Sequence, residues 1–185
     1  RQLVPERALN AVATTVIGFI YIPFMFGFMA RLMFVPQGLE GVSIPGAWLI
    51  IWLVAVTKFT DMGAYITGSL IGKNKMIPHI SPGKTWEGFF GALVWAQLAG
   101  CGLYALLGDQ QLSILGSWTH VIILGIIIAL LAVVGDLAES IIKRCFKSKD
   151  SGQTLPGIGG ALDLIDSLCF TAPALFYFIY LFLLN

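Results

Sequence analysis

The sequence predicts an all-α, polytopic transmembrane helical bundle with about five spans and a polar site facing the cytoplasm. Three observations carry this. Of 185 residues, 57% are hydrophobic and only 11% are charged; the mean hydropathy is +0.86. The apolar residues gather into stretches long enough for a hydrocarbon layer about 30 Å thick, which takes roughly 20 helical residues. The basic residues, finally, fall in alternate loops. A soluble domain needs about a quarter of its residues charged to coat a water-facing surface, so a soluble globular domain, a disordered segment and an extracellular binding module are excluded. A formal net charge of +1, from 11 Lys+Arg against 10 Asp+Glu, gives no electrostatic support to nucleic-acid binding.

The five spans are expected near 10–34, 46–70, 88–107, 118–136 and 167–184. Pro23 should kink the first, which a bundle tolerates better than an isolated helix. Gly68 and Gly72 loosen the end of the second. Two longer polar stretches, near 73–87 and 143–166, join the others. Arg1 and Arg7, then Lys73, Lys75 and Lys84, then Lys143, Arg144, Lys147 and Lys149 make nine of the 11 basic residues, whereas 35–45 and 108–117 hold none. With five spans all three basic segments fall on one side, which should be cytoplasmic. The chain reads as a single membrane-embedded domain, 1–185. It opens on Arg rather than Met, so it is expected to be the C-terminal part of a longer chain. Cys101, Cys145 and Cys169 are isolated and odd in number, and read as buried apolar fillers.

Ionisable groups inside spans mark function by default. Lys58 and Asp61 share a helix face at i,i+3 and can pair; the pair is either functional or a neutralised device for packing helices. The fourth span ends with Asp136, Glu139, Ser140, Lys143 and Arg144 on one stripe. An amphipathic helix emerging into water, with Glu139 and Lys143 as a surface pair, explains the later charges. It explains Asp136 less well, because that carboxylate follows the apolar run from Ile126 to Val134 and needs a metal or a basic partner. The glycine-rich segment Pro156-Gly157-Ile158-Gly159-Gly160 cannot be mid-helix and leaves backbone N–H groups open to anions. Asp163 and Asp166 follow at i,i+3. One could cap the last helix and the other favour its dipole, but with Asp136 they make three carboxylates on one side, an oxygen-only set suited to Mg²⁺. The other loop holds Ser81-Pro82-Gly83-Lys84-Thr85-Trp86-Glu87-Gly88. It lacks Walker A spacing, and its plainest reading is a turn and helix start capped by Thr85 or Ser81.

Carboxylates, cations, hydroxyls and a glycine-rich loop on one face are what phosphoryl or nucleotidyl transfer requires. A site at the membrane surface points to a lipid head group as one substrate.

The run from Ser140 to Asp166 resembles the motif of phosphatidate cytidylyltransferases, also called CDP-diacylglycerol synthases, in having Ser140, Lys143, Arg144, Lys149, Asp150, Pro156, Gly159, Gly160, Asp163 and Asp166 in phase. Gly135-Asp136, the 81–88 loop and Asp61-x-x-Ala64-Tyr65-x-x-Gly68 are similar to that family as well. The resemblance covers about 57–170. Within the motif Ile158 stands where the family usually has His, and Leu164 where it usually has Arg; any role of those positions is absent here or supplied by another base such as His79. What the resemblance implies is transfer of CMP from CTP to phosphatidate, giving CDP-diacylglycerol and pyrophosphate, with Mg²⁺ and room for a second cation. It implies Asp136, Asp163 and Asp166 at the metal and, with Lys143, at the chemistry. Ser81, Lys84, Thr85 and Glu87 would line the nucleotide side, and Ser140, Arg144, Lys149, Asp150, Gly159 and Gly160 would bind substrate. The expected setting is a bacterial inner membrane with the site facing the cytoplasm, and a homodimer is an assembly that no small-xxx-small run compels. The rivals are a CTP-dependent polyprenol- or phytol-type kinase, a non-catalytic relative, and a transporter, which would spread its charges through the membrane depth.

Overall fold

The computed structural model describes residues 5–35, 46–79, 81–108, 110–145 and 161–183. Helix α1 (Pro5–Phe19) runs through a π-helical segment, Ile20–Phe24, into α2 (Met25–Phe34). Pro23 lies in that segment, where its missing N–H and bulky ring break the α-helical ladder as expected. Helix α3 spans Ala47–Ile71, α4 Trp86–Leu107, α5 Trp118–Cys145 and α6 Ala161–Phe178, which ends in a further π segment, Ile179–Leu183. Among the described residues three helices are long and apolar enough to cross a membrane: Ala47–Ile71, Trp86–Leu107 and Trp118–Ile142, the last with a mean hydropathy of 2.9. Of the five expected spans, those at the two ends are represented among the described residues by shorter apolar helices, Met25–Phe34 and Ser167–Leu183.

Among the described residues one element departs from the all-α expectation. Between α3 and α4 the chain forms a two-stranded antiparallel hairpin, β1 (Lys75–Ile77) and β2 (Ser81–Thr85), with Lys75 opposite Thr85 and Ile77 opposite Ser81. Pro82 and Gly83 disguise β2 in the sequence; an edge strand tolerates a residue that cannot donate to the ladder. Thr85 then ends the strand and caps α4, its Oγ1 accepting from the Gly88 amide at 3.1 Å. Thr85 is therefore the cap, and Ser81 opens the strand.

Helices α3 and α4 are antiparallel and in close contact. Trp52 donates from Nε1 to the Gly100 carbonyl at 3.0 Å; further along, Gly63 lies against Trp95 and Gly91 against Thr67, where an added Cβ would collide. The row Gly88, Ala92, Ala96 and Gly100 is buried and lets the two backbones approach. The Thr57 and Thr171 hydroxyls meet at 3.2 Å, tying α3 to α6.

The hydrophobic core sits towards one end of the bundle. Leu49, Trp52, Leu53 and Val56 of α3 pack with Phe28 and Leu32 of α2, Val121, Leu124 and Ile128 of α5, and Ala172, Leu175 and Ile179. Apolar residues also cover the outside: Leu70, Phe90, Leu98 and Leu106 are all more than 60% exposed. Water would penalise such a surface and lipid would not. Cys169 is buried and Cys101 partly so; the side chain of Cys145 lies outside the described residues. With the core at one end, the hairpin end is left to form a cavity.

Candidate active site

At the hairpin end a cavity of about 420 Å³ opens between α3, the hairpin, the start of α4 and α5; Asp61, Lys75, Ser81, Lys84, Thr85 and Asp136 line it. Each arrives for a local reason. The strand carries Ser81 and Lys84, the cap fixes Thr85, and Asp136 comes from the last turns of α5. The decisive contact joins two segments far apart in sequence: Lys84 Nζ lies 2.8 Å from Asp136 Oδ2 and also donates to the Val133 carbonyl at 3.3 Å. At that distance the pair is a charge-assisted hydrogen bond. Lys84 is 19% exposed and Asp136 45%, so the ammonium is held inside while the carboxylate keeps a face to the cavity. Asp136 needed a cation, and among the described residues Lys84 supplies one.

Asp61 brings a second carboxylate to the same cavity. Lys58 Nζ lies 3.5 Å from its Oδ2, so the expected i,i+3 pair forms. From α6 the Ser167 hydroxyl stands 3.5 Å from both oxygens of Asp61. The first turns of α6, which carry Asp163 and Asp166, therefore begin at the cavity end of α3. The side chains of Asp163 and Asp166, and those of Lys143 and Arg144 on the last turn of α5, lie outside the described residues. So do Lys149, Asp150, Pro156, Ile158, Gly159 and Gly160 altogether, and the side chain of Leu164. Among the described residues no three His, Cys, Asp or Glu stand close enough together to hold a metal ion.

The chain matches the sequence profile of the cytidylyltransferase family over residues 3–182. The chain belongs to the cytidylyltransferase family. It is 40% identical to the phosphatidate cytidylyltransferase of Haemophilus influenzae over 144 residues, 75% of this chain and 48% of that protein. With the phosphatidate cytidylyltransferase of Staphylococcus epidermidis it shares 39% over 159 residues, 86% of this chain and 55% of that protein. The uncharacterized protein YnbB of Escherichia coli K12 is 38% identical over 176 residues, 95% of this chain and 56% of that protein. The chain spans about half the length of the curated relatives it matches.

For a cytidylyltransferase-family chain, three residues hold positions that the sequence did not foretell. Glu87 is not among the cavity-lining residues; its carboxylate accepts from the Asn74 backbone amide at 3.2 Å and from Asn74 Nδ2 at 2.7 Å. It fastens the lead into β1 to the first turn of α4. Ser140 donates its hydroxyl to the Asp136 carbonyl at 2.8 Å, a bond back along its own helix, and it too is absent from the lining. Glu139 is only 4% exposed, which corrects its reading as a solvated partner of Lys143. Asp61 and Lys75, by contrast, join the lining. The signal for Asp61 was its ionisable side chain within a span; what the sequence left open was which way the pair faced.

Proposed function

We propose that this chain carries the site at which CMP is transferred from CTP to phosphatidate, yielding CDP-diacylglycerol and pyrophosphate. The observation that supports it best is the Lys84–Asp136 contact at the cavity. It unites the two motif segments whose residues bear charge complementary to a nucleoside triphosphate and its cation. The phosphatidate phosphate is already ionised near neutral pH and needs no strong base to attack the α-phosphorus in line, so the family His replaced here by Ile158 is dispensable to the first step.

Mg²⁺ fits the chemistry of the donors, which are all carboxylate oxygens. Asp136 would hold it at the cavity, together with Asp163 and Asp166 from the start of α6, and the same carboxylates would serve a second cation. When bound, the ion draws electron density from phosphate oxygens and spreads the developing charge. The rest falls to the chain. Lys84 shifts between Asp136 and the triphosphate, Lys75 adds a second cation at the same mouth, and the Ser81 hydroxyl donates to phosphate oxygens. Lys143, Arg144 and Lys149 hold the departing pyrophosphate or the lipid phosphate.

The chain sits in this reading as about five spans in a bacterial inner membrane, with the hairpin end in the cytoplasm. The nine basic residues of that side support the orientation. A homodimer is the assembly to look for, although the buried row Gly88, Ala92, Ala96 and Gly100 already serves α3 within the chain. The intact protein in detergent should release pyrophosphate from CTP only when short-chain phosphatidate and Mg²⁺ are both present. Release that ignores phosphatidate, or that survives EDTA, would count against the proposal.

A further inference from the structure

The lining residues on α3 run from Thr60 to Ser69, about 13 Å at 1.5 Å per residue. The two ends of that path differ in charge. Lys75, Ser81 and Lys84 of the hairpin stand at one, beyond the C-terminus of α3, with Asp136 paired to Lys84; Asp61 stands at the other, with Thr60 and Ala64 beside it. Lys58 balances Asp61 from one turn earlier on the helix, but the carboxylate, and not the ammonium, is in the lining. A pair kept only to pack helices has no need to present its anion to a cavity. Asp61 is also about 15 Å from the hairpin end of α3, counting ten residues from Ile71, and so lies within the apolar span Ala47–Ile71. Charges inside such a span are costly to keep.

These facts orient a ligand. A triphosphate gains from the two hairpin lysines, which outnumber Asp136 there, and is repelled by Asp61, so it occupies the hairpin end. The part of the nucleotide reaching Asp61 must carry no negative charge and must offer N–H or O–H groups, because a carboxylate oxygen accepts. A nucleoside offers both kinds, an exocyclic amine on its base and hydroxyls on its ribose. We propose that the deep end of the cavity receives the nucleoside of the substrate and that Asp61, held by Lys58 and approached by Ser167, is its specificity-determining acceptor. The inference rests on the nucleotide-transfer reading above and adds the direction in which the nucleotide lies.

The test compares CTP, UTP and dCTP on the intact protein in detergent, by competition in turnover and by equilibrium binding, with pyrophosphate binding as the probe of the other end. UTP lacks the amine and dCTP lacks one ribose hydroxyl, so the two distinguish base from sugar. The wild-type protein should prefer CTP over at least one of them, and Asp61→Asn should narrow that preference by about tenfold or more while pyrophosphate binding stays the same. Because Asp61→Asn strands the Lys58 ammonium, the same comparison on the Lys58→Met/Asp61→Asn double variant, checked for folding by size exclusion, keeps the result readable. An unchanged preference in a folded variant overturns the inference, as does a wild-type protein that treats all three nucleotides alike. A shift in the Mg²⁺ requirement with no shift in preference also overturns it, and assigns Asp61 to the cation. If CTP binds with an Asp61-dependent preference but no transfer occurs, the inference stands and the transfer reading fails.

Discussion

Replacing Lys84 by Met removes the ammonium from Asp136 and keeps most of the side-chain volume. At 2.8 Å and an effective dielectric of about 20, the gross attraction is about 6 kcal/mol. Little of that is net stability. Asp136 is 45% exposed, so water solvates it when the lysine is gone, and the pair no longer bears the desolvation of Lys84. A loss of about 1–2 kcal/mol is the reasonable expectation. The catalytic loss should be larger. Removing one preorganised donor from developing phosphate charge costs about 10²–10³ in rate, or about 2.7–4 kcal/mol, and in the variant the same carboxylate repels the incoming nucleotide. Thermal stability in detergent, read by fluorescence-detected size exclusion, is to be set beside phosphatidate-dependent turnover of CTP. A small shift in melting with a turnover loss of about a hundredfold or more is expected, with partial return of rate in Lys84→Arg. Turnover within about threefold of wild type would refute the assignment of Lys84 to the reacting phosphates. A loss of rate matched by an equal loss of folded protein would reduce the contact to a structural one.

Three further outcomes follow from the same geometry. Asp136→Asn and Asp163→Asn should each abolish Mg²⁺-dependent turnover, a fall of about 10³ or more, while the protein still elutes as a folded peak; retained turnover in either would remove that residue from the cation. Thr85→Ala deletes the cap of α4 and should lower stability by about 1 kcal/mol, seen as a lower melting temperature, with no change expected if another group caps the helix instead. Gly91→Leu drives a side chain into Thr67 across the α3–α4 contact and should cost about 1–3 kcal/mol, seen as a smaller folded fraction after extraction; normal yield and melting would mean the two helices can separate there.

The parts of the fold that local chemistry dictates could be read from the chain. Pro23 breaks its helix because proline lacks the N–H wherever it stands. Lys58 finds Asp61 because three residues of helix bring two side chains to one face, and Thr85 caps because its hydroxyl precedes an apolar helix. The common face of the Lys84 loop and Asp136 followed from counting spans and charges. What stayed hidden depends on tertiary placement. No alternation in Ser81-Pro82-Gly83 announces a strand; β2 exists because Lys75 and Ile77 lie opposite it. The direct Lys84–Asp136 bond could not be derived from spacing, nor could the orientation of the Lys58–Asp61 pair towards a cavity. Glu87 stands in a site loop, and only the hairpin reveals that Asn74 is its hydrogen-bond partner. The buried row on α4 is ambiguous in sequence in the same way, since small residues four apart serve a contact within the chain as readily as one between chains.

The central claim is that the α-phosphorus of CTP is the atom attacked and that the lipid phosphate attacks it. CTP labelled at the α-phosphate and CTP labelled at the γ-phosphate, each incubated with the intact protein, short-chain phosphatidate and Mg²⁺, test that directly. Cytidylyl transfer places the α label in the lipid fraction and leaves the γ label in pyrophosphate. A γ label in lipid, or no label in lipid with either nucleotide, would contradict it.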